Sequence, residues 1–318
     1  MCKFFVVGDV TVDQMYFVEE LPEPGGERTA LRTVMEPGGA GGTVATVLAR
    51  FPGSVTIATR VGTGPFAELA LRNVREAGVE TDLVQVDEHL QTSSVTLLIT
   101  PDTQRTMISA AGASRNLDSA ELHFEDVAAC NALVISAYSL VGGRQREYAV
   151  RALEHARRAG LTTFIDMGSG AMNALQDRVL SLIREIDYVL MNEKELYALT
   201  GEHTISDAVS GLKSQGIEHL VVKVGAMGSI VITPELTELV EALDIDDVVD
   251  STGAGDYYTA AFAYGIMNGY DLLHAARFGN VAGGLNTTVI GAQGYRIDAQ
   301  TLRQRAAEID WVGCEPAR

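Results

Sequence analysis

Asp250-Ser-Thr-Gly-Ala-Gly-Asp256 runs directly into residues 257–267, a segment of small and apolar residues. A glycine-rich turn feeding such a run predicts the start of a buried helix. Gly253 and Gly255 carry no Cβ, so backbone N–H groups around Ala254 are open to close approach by an anion, and the helix dipole adds partial positive charge. Asp256, in the first turn, would stand beside that anion, placed to accept a proton from an attacking hydroxyl. The same residues also suit an ordinary capped helix with a carboxylate in its favourable first turn. Spacing alone leaves both readings open.

On either side of this segment, short β-branched runs alternate with amphipathic stretches. That rhythm predicts βαβ units and an α/β fold with a mainly parallel sheet. Strands are expected at 4–7, 55–58, 132–136, 162–166, 188–191 and 219–224. A helix is expected over 142–159, where Tyr148, Ala149, Ala152, Leu153 and Ala156 share one face, and two consecutive helices over 254–285. Two stretches, about 14–35 and 92–110, alternate like strands with no helix between them. Antiparallel strands leaving the body at two places would pair into one small sheet, either a lid over the ligand crevice or an edge extension of the main sheet. No repeat or Pro-rich linker divides the chain, so residues 1–318 read as one domain with its lid strands.

Asp and Glu number 42 against 24 Lys and Arg, a net charge of −18, with Lys3, Lys194, Lys213 and Lys223 as the only lysines. No basic run occurs, which opposes a nucleic-acid or anionic-membrane partner. Cys2, Cys130 and Cys314 are far apart and read as reduced thiols. The apolar run at 4–7 is too short for a signal peptide and no stretch approaches the roughly 18 residues of a membrane span, so a cytoplasmic location is expected.

The run DSTGAGD at 250–256 resembles the C-terminal signature of the ribokinase-like (PfkB) carbohydrate kinases. Three further motifs follow in the family's order: Gly38-Gly-Ala-Gly-Gly-Thr-Val-Ala45 resembles its glycine motif, Asn192-Glu-Lys-Glu195 its Asn-x-x-Glu motif, and Val222-Lys-Val-Gly-Ala-Met-Gly228 its strand-turn-strand by the nucleotide. The resemblance covers essentially the whole chain. It implies a three-layer α/β/α sandwich with a small β-sheet lid, and an ATP-dependent kinase acting on an alcohol group. By the same resemblance, Asp256 is the base and Gly253, Ala254 and Gly255 form the anion hole. Asp13 and Gly39 meet the acceptor, and Asn192 and Glu195 hold magnesium and phosphate through waters. Lys223, Gly225, Gly228 and Asn280 lie toward the nucleotide; for Lys223, a strand-end charge facing solvent is the plainer alternative. A monovalent cation, potassium in some members, would use Asp250 and the carbonyls of Thr252, Asn286, Val289 and Gly291.

Departures from the family concern the acceptor and that cation. Thr43 and Thr11 stand where ribokinases have asparagines, Tyr138 where they have an acceptor-binding glutamate, and Tyr295 where they supply a serine hydroxyl to the cation. A hydroxyl makes fewer hydrogen bonds than an amide, so this pocket should read a hydroxyl pattern other than that of ribose. Arg105, in the second lid stretch, suits a carboxylate or phosphate on the acceptor, or is a solvated arginine on a hairpin. The acceptor is expected to be a sugar or sugar derivative, with a nucleoside kinase and an inactive ligand-binding relative as alternatives. The lid strands leave room for a homodimer. Gly62-Thr-Gly-Pro-Phe-Ala67 only partly matches a dinucleotide fingerprint. No P-loop, protein-kinase motif or histidine metal spacing occurs in the sequence.

Overall fold

The computed structural model describes residues 1–102, 105–175, 179–217 and 219–309; Cys314 lies outside them. The strands are β1 (Lys3–Val7), β2 (Thr11–Phe17), β3 (Arg32–Gly38), β4 (Ser54–Val61), β5 (Val84–Val86), β6 (Ser94–Ile99), β7 (Arg105–Ala110), β8 (Ala132–Ser136), β9 (Thr162–Asp166), β10 (Tyr188–Asn192), β11 (Leu220–Lys223), β12 (Ser229–Ile232) and β13 (Thr237–Val240). A nine-stranded sheet runs in the order β13-β12-β11-β10-β9-β8-β1-β4-β5, parallel except for the antiparallel pairs β11–β12 and β12–β13.

Every residue of β8 is buried, as expected of a strand covered on both faces. The alternation of side chains divides the core into two halves: Phe4 and Val6 pack into one cluster, Phe5 and Val7 into the other. Helices Ala40–Ala49, Pro65–Glu76, Ala254–Met267 and Leu272–Asn286 cover the first face, and Gly143–Ala159, Glu193–Thr200 and Ile205–Ser214 the second. The predicted helix at 142–159 buries the five residues assigned to its inner face. No helix of the described residues is long and apolar enough to cross a membrane.

The two helix-free stretches form a separate four-stranded sheet, β3-β2-β6-β7. Its strands extend beyond the predicted ranges to Thr11 and Gly38. Each hairpin is antiparallel, but the hairpins join through a parallel β2–β6 pairing, Val12 to Phe17 against Ser94 to Ile99, where only antiparallel pairing was expected.

Candidate active site

Parallel strands end on one side of a sheet, and here their last residues converge. After β1 come Gly8 and Asp9, and after β8 comes Tyr138. Ser136, Asp166, Asn192 and Lys223 end β8, β9, β10 and β11. The chain builds β4 and β5 on one side of β1 and β8 to β11 on the other, so the crevice opens at the switch of direction.

Helix Ala254–Met267 begins above these ends. Gly253 has φ 77°, and a Cβ there would lie 2.3 Å from the Ala292 oxygen, so only glycine fits the turn. A Cβ on Gly255 would lie 3.2 Å from Lys223 Nζ, with no other group closer. Burial, and then repulsion by Asp166, push the Asp256 carboxyl well above the usual carboxylate range; Lys223 opposes the shift, and Asp9 and Asp13 add to it. As a whole residue Asp256 is only partly buried.

Asp13, on β2, is buried and accepts a 2.7 Å hydrogen bond from Thr11 Oγ1. Burial raises its carboxyl to about 6, and Asp9 and Asp250 add to the effect. Its Oδ2 lies 2.2 Å from where a Gly38 Cβ would stand, and Gly39, at φ 86°, passes so close to Asp9 that a Cβ would lie 2.6 Å from its carbonyl oxygen. Thr43 is fully enclosed beneath this turn, 3.4 Å from Gln293 Nε2. Tyr138 is 41% exposed, and its ring crosses Gly168 and Gly170, where a Cβ would lie 2.4 Å and 3.0 Å from it. Burial of its hydroxyl end, with Asp9, Asp256 and Glu195 nearby, pushes the phenol up to about 12.

Arg105 is not a solvated hairpin arginine. Its Nη1 donates to Thr252 Oγ1 at 2.5 Å and stands 3.7 Å from Asp250 Oδ1, tying the small sheet to the glycine turn. Asp250 also accepts from Thr252 N, Thr252 Oγ1 and Gly291 N. The carbonyl of Thr252 accepts from Asn286 Nδ2, that of Asn286 from Val289 N and that of Gly291 from Gly294 N. Each of these three carbonyls thus carries one hydrogen bond on one of its two lone pairs, and Arg105 gives Asp250 a counter-charge.

On the other side of the crevice, Asn192 and Glu195 form a capping box: Asn192 Oδ1 accepts from Glu195 N, and Glu195 Oε2 from Asn192 N. Ser169 Oγ and Asn192 Nδ2 both donate to Glu195 Oε1, and burial raises its carboxyl. With three donors already on it, Glu195 suits contact with a hydrated ion through water better than direct ligation. Lys223 does not face solvent; its Nζ lies 2.6 Å from Asp166 Oδ1. Burial works against the ammonium, but Asp166, Glu195 and Asp256 outweigh it and hold Lys223 above the ordinary lysine value. Gly225 and Gly228 form the predicted turn, with φ 64° and 108°. The Asn280 amide donates to the carbonyls of Val240 and Glu241, so it builds the wall of this side rather than pointing into it.

Sequence reasoning passed over Asp9 and Asp166, although a carboxylate at the carboxyl end of a parallel strand is a recognisable signal. A cavity of about 10 Å³ beneath the crevice is lined by Ser136, Asp166 and Asp256 among apolar neighbours. A cleft of about 640 Å³ is lined by residues of the 290–298 loop and shares only Gly291 with the predicted site residues. Its size does not make it the site, because the converging carboxylates are elsewhere. Among the described residues, no cluster of three His, Cys, Asp or Glu is placed to bind a metal.

Residues 1–298 match the sequence profile of the pfkB family carbohydrate kinases. The chain is 27% identical over 303 residues to ribokinase of Staphylococcus aureus (strain COL), covering 92% of this chain and 95% of that one. The structure of Arabidopsis thaliana ribokinase complexed with ribose and ATP superposes with a TM-score of 0.81 at 24% identity, covering 96% and 99% of the two chains. Adenosine kinase from Sinorhizobium meliloti superposes with a TM-score of 0.84 at 22% identity, with 96% and 99% covered.

Proposed function

Since the chain belongs to the pfkB family of carbohydrate kinases, we propose that it transfers the γ-phosphoryl group of ATP directly to a hydroxyl of a sugar or sugar derivative, with Asp256 as the base. The observation that carries this reading is the Asp256 carboxyl, raised by burial, one residue beyond a glycine turn that admits no side chain at Gly253. A carboxylate raised above its usual range is better matched to accept a hydroxyl proton near neutral pH. The N–H groups of 253–255 would face the transferring phosphoryl oxygens as fixed donors. Asp13 and the Gly39 turn, above the buried Thr43, would orient the acceptor hydroxyls. The nucleotide would lie along Gly225 and Gly228, on the wall that Asn280 holds. Magnesium, when bound, would neutralise phosphate charge, and Asn192 and Glu195 would hold its waters.

The small sheet would act as a lid, with Arg105 latching it to Thr252 and Asp250 so that the latch reports closure at the phosphoryl end rather than reading the acceptor. Its exposed strand β7 would pair two copies of the chain. The free thiols of Cys2 and Cys130 suit a reducing cytoplasm.

ADP release tests the reading, with ribose, fructose, ketogluconate, sugar phosphates, adenosine, inosine and cytidine as acceptors. We expect acceptor-dependent ADP from a sugar, and a 10²- to 10⁴-fold loss of kcat, as an order of magnitude, in Asp256→Asn with nucleotide binding retained. Turnover confined to nucleosides would make this a nucleoside kinase of the same fold. Nucleotide binding with no acceptor-dependent ADP would make it a binding protein.

A further inference from the structure

The family resemblance places Lys223 toward the nucleotide, but its partner Asp166 has no part in the mechanism as given so far, and the pair occupies the floor of the crevice. Lys223 ends β11 and Asp166 ends β9, with β10 between them, so the 2.6 Å contact spans the end of an intervening strand. The two side chains are only 14% and 8% exposed. Of the four lysines, this is the one whose ammonium lies against the glycine turn, 3.2 Å from the position of a Gly255 Cβ. The facing groups are acidic: Asp166 from β9, Glu195 from the helix after β10, and Asp256 from the helix after the turn.

Placing an ion pair here is unfavourable for stability alone, because desolvation offsets most of the attraction and an apolar pair of similar volume would serve the core as well. The geometry has a use only if something anionic arrives above it. A long lysine left free could swing among the carboxylates at this end of the sheet; one fixed at both its stem and its tip cannot.

We propose that Lys223 and Asp166 work as one unit, a cation fixed beneath the glycine turn that meets the terminal phosphate of the nucleotide, with Asp166 as its positioning residue. This rests on the kinase reading above and extends it to Asp166. The ammonium adds a full charge to a site otherwise built from backbone N–H groups, and its direction is set before the nucleotide binds.

The test compares Lys223→Met, Lys223→Arg, Asp166→Asn and the double variant Lys223→Met/Asp166→Asn with the unaltered chain, each checked for folding by circular dichroism and thermal melting. Calorimetry with MgATP and MgADP reads the contact without turnover. We expect Lys223→Met to lose about tenfold or more in MgATP affinity while MgADP affinity stays within about threefold, and Lys223→Arg to recover part of the loss. Where an acceptor turns over, kcat should fall about 10²-fold in Lys223→Met and in Asp166→Asn, and the double variant should be no worse than Lys223→Met, because the two act together. Equal loss of MgATP and MgADP affinity, no loss of either, or additive losses in the double variant would overturn the proposal. Absence of turnover in the unaltered chain would sink the kinase reading instead, and the ATP-against-ADP comparison would still decide this one.

Discussion

Asp13 shows how one side chain can set a pH dependence. Its carboxyl stands at about 6 in the folded chain against an ordinary 3.8, so the folded state prefers the protonated form. The resulting penalty is absent below pH 3.8, grows between there and about 6, and is complete above that. The difference corresponds to a cost on the order of 3 kcal/mol at neutral pH. Asp13→Asn should therefore melt higher than the unaltered chain at pH 7, with the advantage gone near pH 4, while its acceptor KM rises. A melting difference independent of pH would show that the carboxylate carries no such cost. The glycines invite a second test at this scale. Gly253→Ala would drive a Cβ into Ala292 from a left-handed backbone and should destabilise the protein outright. A Cβ at Gly255 meets only the end of the flexible Lys223 side chain, so Gly255→Val should fold while losing turnover. Normal activity in Gly255→Val would remove the N–H groups of this turn from the phosphate site.

At the scale of elements, Arg105 joins the small sheet to the turn that starts helix Ala254–Met267. Arg105→Ala should release that latch, raising acceptor-independent ATP hydrolysis about tenfold, as an order of magnitude, while lowering acceptor-dependent kcat. A rise in acceptor KM alone would return Arg105 to the acceptor. Because Arg105 already balances Asp250, exchanging potassium for sodium should change kcat by less than about threefold; loss of activity in sodium would show that a potassium site forms after all. The parallel strands and their covering helices were legible in the sequence because apolar periodicity is local. The β2–β6 joint was not, since strands paired across some eighty positions leave no mark in either segment about direction. The capping box and the catalytic-looking Asn-x-x-Glu motif are one set of atoms, so the sequence offered two readings where the backbone accommodates both.

At the scale of the molecule, a net charge of −18 surrounds a crevice whose positive groups are few and fixed: Lys223, Arg105 and backbone N–H groups. Clustered acids leave Asp9, Asp13, Asp166 and Asp256 dependent on that small number of cations, which is why single positions were readable as motifs while their mutual electrostatics were not. Strand β7 leaves Met107 and Ile108 58% and 65% exposed on an edge that proteins usually cover. The chain should sediment as a dimer, and Ile108→Asp should give monomers; a monomeric unaltered chain would place no copy on that edge.

The two hairpins of the small sheet each leave and rejoin the body, and three of the four joints are short: 8–10 before β2, Gly39 after β3 and Ala111 after β7, with the seven residues 87–93 before β6. A plate fastened at four points along one margin has a single easy motion, a tilt about the line through them. Twisting or sliding would stretch at least one joint of one to three residues. Any opening of the crevice is thereby confined to one angular coordinate, and lengthening the joint at Ala111 should disturb it far more than lengthening the distant tip near Asp102.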